Sequence, residues 1–380
     1  MPQILYADKD ILVVVKPVGL LSEEAPEGSL PAQLAAIYGR LYPVHRLDRV
    51  VGGVMVYARN SRAAGVLSRA VAENRLVKRY IAVLEGAPER DEDTLVDLLF
   101  KDARQGKSFV VKTPRRGARE AVLSYVLTGS VTSEARRLTR VDITLKTGRS
   151  HQIRVQFSAR GTPLVGDGKY GARVKAPSPA LFAACLTFPH PRDGRELTFA
   201  AKPQGFPFDL FAPTETERKY LIKMPDVAAL AKMPDCRILS MEQTYLMAEQ
   251  GETHRVRLVR EGDEVTYIET VKSRVNALTT LEREAEITAA RYGELLGLAD
   301  STRHTVIKTR YRVPVGARVA EIDVYPFWQD RAILEIELAD ERETVLLPPF
   351  LQVVREVTAD FRYKNVNLAK SVPNDEISPP

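Results

Sequence analysis

Two patterns of apolar and polar positions divide the chain. In the first half the pattern is irregular. Ile11–Val15 is an apolar, β-branched run closed by Lys16-Pro17, which predicts a buried strand and then a turn. Ser61–Asn74 sets Val66, Leu67, Ala70 and Val71 on one stripe, as an amphipathic helix does. Arg79–Leu84, Leu138–Leu145 and Ile153–Phe157 read as strands. Strands and helices alternate without a fixed unit, so the expected fold is α+β on a mixed sheet. From Glu215 onward the period is two, with charges recurring on one side of each strand. A strand over Glu215–Ile222 puts Glu215, Glu217 and Lys219 together. Likewise, His254–Val259 joins Arg255 and Arg257, and Leu281–Ile287 joins Glu282, Glu284 and Glu286. Val306–Val313 joins Lys308, Arg310 and Arg312, Ala332–Leu338 joins Glu335 and Glu337, and Ile322–Tyr325 adds Asp323. One such strand is what a half-solvated antiparallel sheet presents. Five strands with same-face clusters point to a charged face with a ligand.

Charge sharpens this division. The formal net charge is +6, but residues 1–212 carry 32 basic and 21 acidic side chains (+11) and residues 213–380 carry 23 and 28 (−5). Two units with different partners are expected, 1–212 and 213–370, followed by a frayed tail 371–380. The stretch 202–214 holds three prolines and one glycine and reads as the linker. Hydrophobic residues at 44% and charged residues at 27% exclude a disordered or collagen-like chain. There is no apolar run of about 18 residues and no signal-peptide pattern, so a cytoplasmic protein without membrane association is expected. Cys185 and Cys236 lie far apart and are expected as buried free thiols. The first strand begins at once, so no separate module is expected ahead of it, and no obligate protein partner is evident.

Two polar clusters carry candidate chemistry in the first unit: His45-Arg46-Leu47-Asp48-Arg49, and Gly148-Arg149-Ser150-His151-Gln152-Ile153-Arg154 with Gly166-Asp167-Gly168-Lys169-Tyr170-Gly171 after it. A carboxylate between two arginines stays ionised and can act as a nucleophile or base. A surface ion-pair network gives the same spacing. HRLDR at 45–49, KRYIAVLEG at 78–86, GRSHQIRVQ at 148–156 and PLVGDGKYG at 163–171 occur in the order found in RluA-type RNA pseudouridine synthases, and this part of the chain resembles that family. The resemblance implies cofactor-free isomerisation of uridine to pseudouridine in RNA (rRNA or tRNA). It makes Asp48 the catalytic aspartate, Tyr80 the tyrosine that packs on the target base, and Arg154 the aspartate's partner. The base must leave its stack to reach Asp48. Arg46, Arg49 and Arg149, with Lys107, Lys112, Arg115 and Arg116 from the basic stretch Lys101–Arg119, are candidate RNA contacts. The chain departs from the family in Val50-Val51-Gly52-Gly53, where a Thr-Ser-Gly sequence is common, and in Gln156, where histidine is frequent.

In the second unit, a closed sheet with its charged faces inward would surround a polyanion with basic strands and hold a hard divalent cation on acidic ones. Glu215-x-Glu217-x-Lys219 is similar to the signature of the CYTH, or triphosphate tunnel metalloenzyme, superfamily. Gln243-Thr244-Tyr245-Leu246, Arg255-x-Arg257, Lys308-Thr309-Arg310-Tyr311, Glu321-Ile322-Asp323-Val324, Glu335-x-Glu337 and Glu356-Val357-Thr358 with Arg362-Tyr363-Lys364-Asn365 are similar to its later pieces. The resemblance implies an eight-stranded antiparallel β-tunnel with flanking helices. It also implies hydrolysis of a triphosphate such as inorganic tripolyphosphate with Mg2+ or Mn2+. Glu215, Glu217, Glu335, Glu337 and Glu284 fall at the metal side, and Lys219, Arg255, Arg257, Lys272, Lys308 and Arg310 at the triphosphate side. Tyr245 falls at a position proposed for catalysis. Thr288–Leu298 reads as a helix that either plugs one end or lies on the surface. The alternative is a module that binds polyphosphate, a nucleotide or an RNA 5′-triphosphate without turnover and so regulates or targets the synthase. A third reading makes the first unit an inactive RNA-binding relic.

Overall fold

The computed structural model describes residues 2–25, 28–133, 136–211, 216–248, 252–274 and 280–375, apart from the side chains of 272–274 and 280–283. The chain separates into two compact units, 1–211 with 342–344 and 212–341 with 345–380.

The first unit holds β1 (Gln3–Ala7), β2 (Ile11–Lys16), α1 (Leu30–Tyr38), β3 (Tyr42–Pro43), β4 (Gly52–Ala58), α2 (Ser61–Ala72), β5 (Val77–Glu85), β6 (Glu92–Asp102), β7 (Lys107–Val111), β8 (Ala118–Ser133), β9 (Arg136–Leu145), α3 (Gln152–Ser158), β10 (Leu181–Pro189) and β11 (Glu196–Ala200). They form an eleven-stranded mixed sheet in the path β1-β2-β4-β10-β5-β9-β8-β6-β7, with β11 on β10 and β3 on β4. The pairing is antiparallel except between β4 and β10. β4 is buried throughout because both its faces are covered, which is why it reads as a continuous apolar run. Val54 and Val56 pack with Ala63 and Leu67 of α2 on one side. Met55 and Tyr57 pack on the other with Leu30 and Leu34 of α1 and Ile153 and Phe157 of α3. Gly53 has φ +131°, and a Cβ there would lie 2.3 Å from the carbonyl oxygen of Ala183, so the β4–β10 contact requires glycine.

The expected strand over Ile153–Phe157 is instead helix α3. Its residues 152–157 are all buried. Polar Gln152, Arg154 and Gln156 alternate with apolar Ile153, Val155 and Phe157, a period of two that mimics a strand, and all six are buried, so no solvated face marks the helix. Gln156, the departure from the family pattern, is one of the groups that hold α3 in place. Its amide donates to Asp97 Oδ2 at 2.7 Å and to the Ala121 carbonyl at 3.3 Å. Cys185 is buried as expected, whereas Cys236 is only partly covered.

The second unit holds β12 (Thr216–Lys223), α4 (Val227–Ala231), β13 (Arg237–Leu246), β14 (Glu252–Glu261), β15 (Glu264–Arg274), β16 (Thr280–Ile287), α5 (Ala289–Leu296), β17 (Val306–Val315), β18 (Arg318–Val324), β19 (Arg331–Leu338), β20 (Val353–Glu356) and α6 (Asn365–Leu368). The separate antiparallel sheet is present with helices beside it. It has nine strands rather than eight, in the order β16-β15-β14-β13-β17-β18-β19-β12-β20. Among the described residues no ladder joins β16 to β20, so the described hydrogen bonds do not close a tunnel. Register puts the charged positions on one face. Lys219 is opposite Glu335, Glu217 opposite Glu337, Arg310 opposite Asp323 and Tyr245 opposite Arg255. The other face is apolar, with Tyr220, Ile222, Ile322, Leu334 and Ile336 in one cluster.

Helix α5 packs on that apolar side. Tyr292 and Leu295 contact Leu246, Val256 and Leu258, which alternate with Tyr245, Arg255 and Arg257. It therefore does not plug the charged face. Part of that face is covered instead by the C-terminal segment. Val357, Tyr363 and Leu368 form a cluster with Leu221, Tyr245, Val306 and Ile333, and Val372 packs against it. The tail expected to fray is held as far as Asp375, whose carboxylate accepts from Arg355, Arg362 and the Tyr363 hydroxyl at 2.9–3.0 Å.

Candidate functional site

A cavity of about 460 Å3 opens on the α3 side of the first sheet. Asp48 reaches it from the loop between β3 and β4, Tyr80 from β5, and His151 and Arg154 from the start of α3. The approach to α3 is a fixed loop. Gln152 Oε1 accepts from the Thr147 hydroxyl at 2.8 Å and from the Arg149 backbone N–H at 3.0 Å. His151 sits in the left-handed region at φ 55°, a conformation that costs energy for a non-glycine residue and recurs at functional sites.

Arg154 is aimed by a residue outside its own motif. Its Nε and Nη2 donate to the two carboxylate oxygens of buried Asp167 at 2.6 and 2.8 Å. This leaves Nη1 pointing at Asp48 Oδ2, 3.5 Å away. Burial alone would lower the Arg154 pKa, but Asp167 and then Asp48 outweigh it and the group is raised. His151 Nε2 lies 3.7 Å from the same Oδ2, and its Nδ1 is 2.8 Å from the Tyr170 hydroxyl. That hydroxyl also accepts from the Ser108 backbone N–H at 2.9 Å. Burial, more than it is offset by Asp48, lowers the His151 pKa, so the imidazole is neutral at pH 7. Tyr80 is buried, and burial and then Asp48 raise its pKa, so its phenol stays protonated.

The expectation that Asp48 sits between Arg46 and Arg49 fails. Arg46 pairs with Glu23 at the surface, and Arg49 Nε donates to the Gly19 carbonyl at 2.8 Å. Side chains at neighbouring positions of an irregular loop diverge, and the partners of Asp48 come from α3. Of the expected RNA contacts, Arg46 and Arg149 line the cavity. Lys107, Lys112, Arg115 and Arg116 lie outside it, on and after β7. Lys107 Nζ sits 5.0 Å from the Tyr170 ring centre, and the Arg115 guanidinium stacks 3.7 Å from that of Phe100. Asp167, Tyr170 and His151 were missed as site residues, although all three lie in the quoted motifs.

On the second unit's charged face, Lys219 Nζ is 2.5 Å from Glu335 Oε1 and 3.1 Å from Glu217. Arg310 reaches Glu335 Oε2 at 2.6 Å, makes two bonds to Asp323 at 2.6 and 2.7 Å, and also pairs with Glu321. Lys308 pairs with Asp323. Burial would raise the Glu335 carboxyl, but Lys219 and Arg310 hold it well below the usual range, and Asp323 is lowered by Arg310 and Lys308 against the same burial penalty. Tyr245 accepts from Gln243 Nε2 at 2.6 Å, and burial raises its pKa. Glu284, on β16 at the far end of the strand order, pairs with Arg257 and accepts from the Thr270 hydroxyl. Arg255 stands across from Tyr245 on β14. Glu215 and the Lys272 side chain lie outside the described residues. Asp323 and Glu321 were missed as members, although their alternation in the quoted EIDV piece was a usable signal.

The oxygen-rich donor set suits a hard cation, and exposed Glu217 and Glu337 stand opposite one another. Yet among the described residues the only three potential ligand atoms within 4.8 Å of one another belong to Asp8, Asp10 and His190. Asp8 is already bonded to Tyr6 and His190, and Asp10 to Asn60 and Arg192. No described helix is long and apolar enough to cross a membrane.

Asp48, Tyr80 and Arg154 all lie within residues 10–159, which match the family model described as RNA pseudouridylate synthase. The chain belongs to the RNA pseudouridine synthase family. It is 33% identical over 230 residues to the uncharacterized RNA pseudouridine synthase YlyB of Bacillus subtilis, covering 57% of this chain and 73% of that protein. It is 37% identical over 210 residues to the dual-specificity RNA pseudouridine synthase RluA of Escherichia coli, covering 52% and 91%. A further similarity is to the crystal structure of the inorganic triphosphatase NE1496, 28% identical, covering 43% of this chain and 98% of that one at a TM-score of 0.29.

Proposed function

We propose that Asp48 is the residue on which the isomerisation turns, with Tyr80 as the platform for the flipped base and Arg154 as its positioning partner. The observation that carries this is the asymmetric clamp on Asp48. Arg154, locked on Asp167, and His151 both approach Oδ2, whereas Oδ1 has no hydrogen-bond partner among the described residues. Oδ1 is therefore the oxygen presented to the nucleotide. The N1–C1′ bond breaks, the uracil turns on the Tyr80 face, C5 bonds to C1′, and the proton released from C5 is matched by one gained at N1. Stacking on an aromatic ring holds the freed base through the turn. The test is pseudouridine mapping of cellular RNA with the wild-type protein and Asp48→Ala; identical maps sink the assignment.

For the second unit, the reading is binding and hydrolysis of a triphosphate such as inorganic tripolyphosphate. Lys219, Lys308, Arg310, Arg255 and Arg257 would neutralise the phosphates, while Glu217 and Glu337, with Glu215, would hold Mg2+ or Mn2+. A bound divalent ion would screen phosphate charge and activate water. Phosphate release from tripolyphosphate with either metal, lost in Glu217→Gln, supports hydrolysis. The non-hydrolytic reading draws on one observation: both oxygens of Glu335 are occupied by Lys219 and Arg310. Tight binding with no turnover favours it.

A further inference from the structure

Among the described residues Lys16, Lys219 and Lys308 are buried, each with partners that account for its burial, and Lys78 is partly buried. Lys16 donates to the carbonyls of Pro17 and Leu20 at 3.0 and 2.8 Å. Lys219 pairs with Glu217 and Glu335, and Lys308 with Asp323. Lys78 is the exception. Among the described residues its ammonium has no carboxylate within ion-pair distance and no hydrogen-bond acceptor, and burial lowers its pKa with no counter-charge to offset it. A partly desolvated ammonium without a partner costs free energy, so the fold gains nothing from it in the unliganded state.

Its position gives the reason. Lys78 and Tyr80 alternate on β5 and face the same cavity. The ammonium stands at the Gly148 backbone, where an added Cβ would be 3.8 Å from Nζ, at the entry to the loop that carries Arg149 and His151. The wall beside it cannot supply an anion. His45 is driven down to about 3 by burial and by Lys78 itself, so it is neutral. Its Nε2 accepts from the Val56 backbone N–H, which places its proton on Nδ1, and that atom is buried without a partner. The cavity lining carries Arg46, Lys78, Lys101, Arg149 and Arg154 against the single carboxylate of Asp48; Arg154 is paired with Asp167 and Arg46 with exposed Glu23.

We propose that Lys78 is the seat of a phosphodiester group of the RNA strand, adjoining the nucleotide presented to Asp48. The assignment rests on the reading of this cavity as the RNA site. The ammonium and the base platform, two residues apart on one strand, would then fix the phosphate and the uracil of the substrate to one rigid element.

The test uses the full chain, a labelled uridine-rich RNA hairpin, and the variants Lys78→Met and Lys78→Arg. Binding is measured from 50 to 300 mM salt, with single-turnover pseudouridine formation at saturating RNA. Lys78→Met is expected to bind about tenfold more weakly near 0.1 M salt, to lower the slope of log K against log salt by about one, and to leave the saturated rate within about threefold. Lys78→Arg restores the slope, and thermal unfolding of Lys78→Met is unchanged or moves up. An unchanged slope with normal wild-type turnover overturns the Lys78 assignment alone. So does a normal slope with a collapsed saturated rate, because the ammonium would then act on the reacting base. Inorganic phosphate that stabilises the wild type but not Lys78→Met, with RNA binding untouched, reassigns the seat to a free anion and overturns the RNA assignment. A wild-type chain that neither binds nor modifies RNA removes the function reading and this one together.

Discussion

The cavity around Asp48 and the charged face around Glu335 solve opposite problems with the same side chains. In the first unit one arginine is locked by one buried carboxylate, Asp167, and its remaining donor points at a second carboxylate that stays partly open. In the second unit Lys219, Lys308 and Arg310 are cross-braced by Glu335 and Asp323, and each carboxylate serves two cations. The first arrangement leaves one oxygen of Asp48 without a hydrogen bond among the described residues and holds the other beside Arg154 and His151. The second leaves little unsatisfied, and a ligand must enter by replacing internal partners. Burial of charge therefore says nothing by itself about reactivity; what matters is which atoms the network leaves unpaired.

The largest expected effect breaks the open side of this contrast. Asp48→Asn keeps the shape and removes the carboxylate, and pseudouridine formation should fall by at least about 10^3-fold while the thermal midpoint hardly moves. A modest loss of rate would mean that the unpaired oxygen is not the reacting atom.

Next come the two carboxylates that do the bracing. Asp167→Ala leaves the Arg154 guanidinium only the longer contact to Asp48, and Glu335→Gln removes a buried counter-charge that Lys219 shares with Glu217 and Arg310 with Asp323 and Glu321. Each should cost about 3–5 kcal/mol, the scale for removing one partner of a buried ion pair. The outcomes should then diverge: Asp167→Ala also loses synthase activity, whereas Glu335→Gln leaves it intact. Trp328 is the sole tryptophan and is buried in the second unit, so its fluorescence follows that unit alone during denaturant unfolding. Equal loss of synthase activity in both variants would erase the distinction.

The pH dependence of stability separates the units further. In the first, His45 titrates near 3 in the folded chain because it is buried, against about 6.5 when unfolded. As pH falls below about 6.5 the unfolded chain takes up a proton that the folded chain refuses, so stability is lost down to about pH 3, at up to about 1.4 kcal/mol per pH unit. In the second, Glu335 and Asp323 are depressed, so their contribution is complete above the ordinary carboxylate range near 4 and is lost only as pH falls through the depressed values. Between pH 6.5 and 4.5, amide exchange should therefore accelerate in β4 and β5 while the Trp328 transition holds. His45→Gln should flatten the first response.

How much of this was legible depended on whether a residue's neighbours in sequence were also its neighbours in space. The run at Ile11–Val15 became β2, and Ser61–Asn74 became α2, whose Asn60 cap accepts from the Ala63 N–H. In the second unit the period of two put Glu217, Lys219, Lys308, Arg310, Glu335 and Glu337 on one face, because register preserves alternation from strand to strand. Three features resisted. Residues 153–157 alternate polar and apolar as a strand does, and they are helical because the buried polar members, Arg154 and Gln156, are satisfied by Asp167 and Asp97 rather than by solvent. The flanking arginines do not pair with Asp48, because a loop does not fix the direction of adjacent side chains; its pairing with Arg154 came from the resemblance, not from local spacing. Helix α5 lies on the apolar face because its own stripe, Tyr292 and Leu295, matches Val256 and Leu258, a pairing no local pattern reveals.

The smallest expected effects concern the surface, where the +11 of the first unit resides. Arg115 and Arg116 follow β7 in the basic stretch, and both are exposed. Arg115 stacks on Phe100, whereas Arg116 has no bonded partner among the described residues. Arg116→Ala should change stability by less than about 0.5 kcal/mol, and Arg115→Ala by about 0.5–1 kcal/mol through the lost ring contact. If both track the RNA backbone, each should nonetheless lower the salt slope of RNA binding by about one, since every released phosphate contact retains its counterion. Arg310 and Lys308, internally neutralised, should contribute nothing to that slope. A slope unmoved by Arg115→Ala and Arg116→Ala would confine the RNA footprint to the cavity lined by Arg46, Lys78, Lys101 and Arg149, and a slope moved by one of them alone would trace the path of the strand across the hairpin.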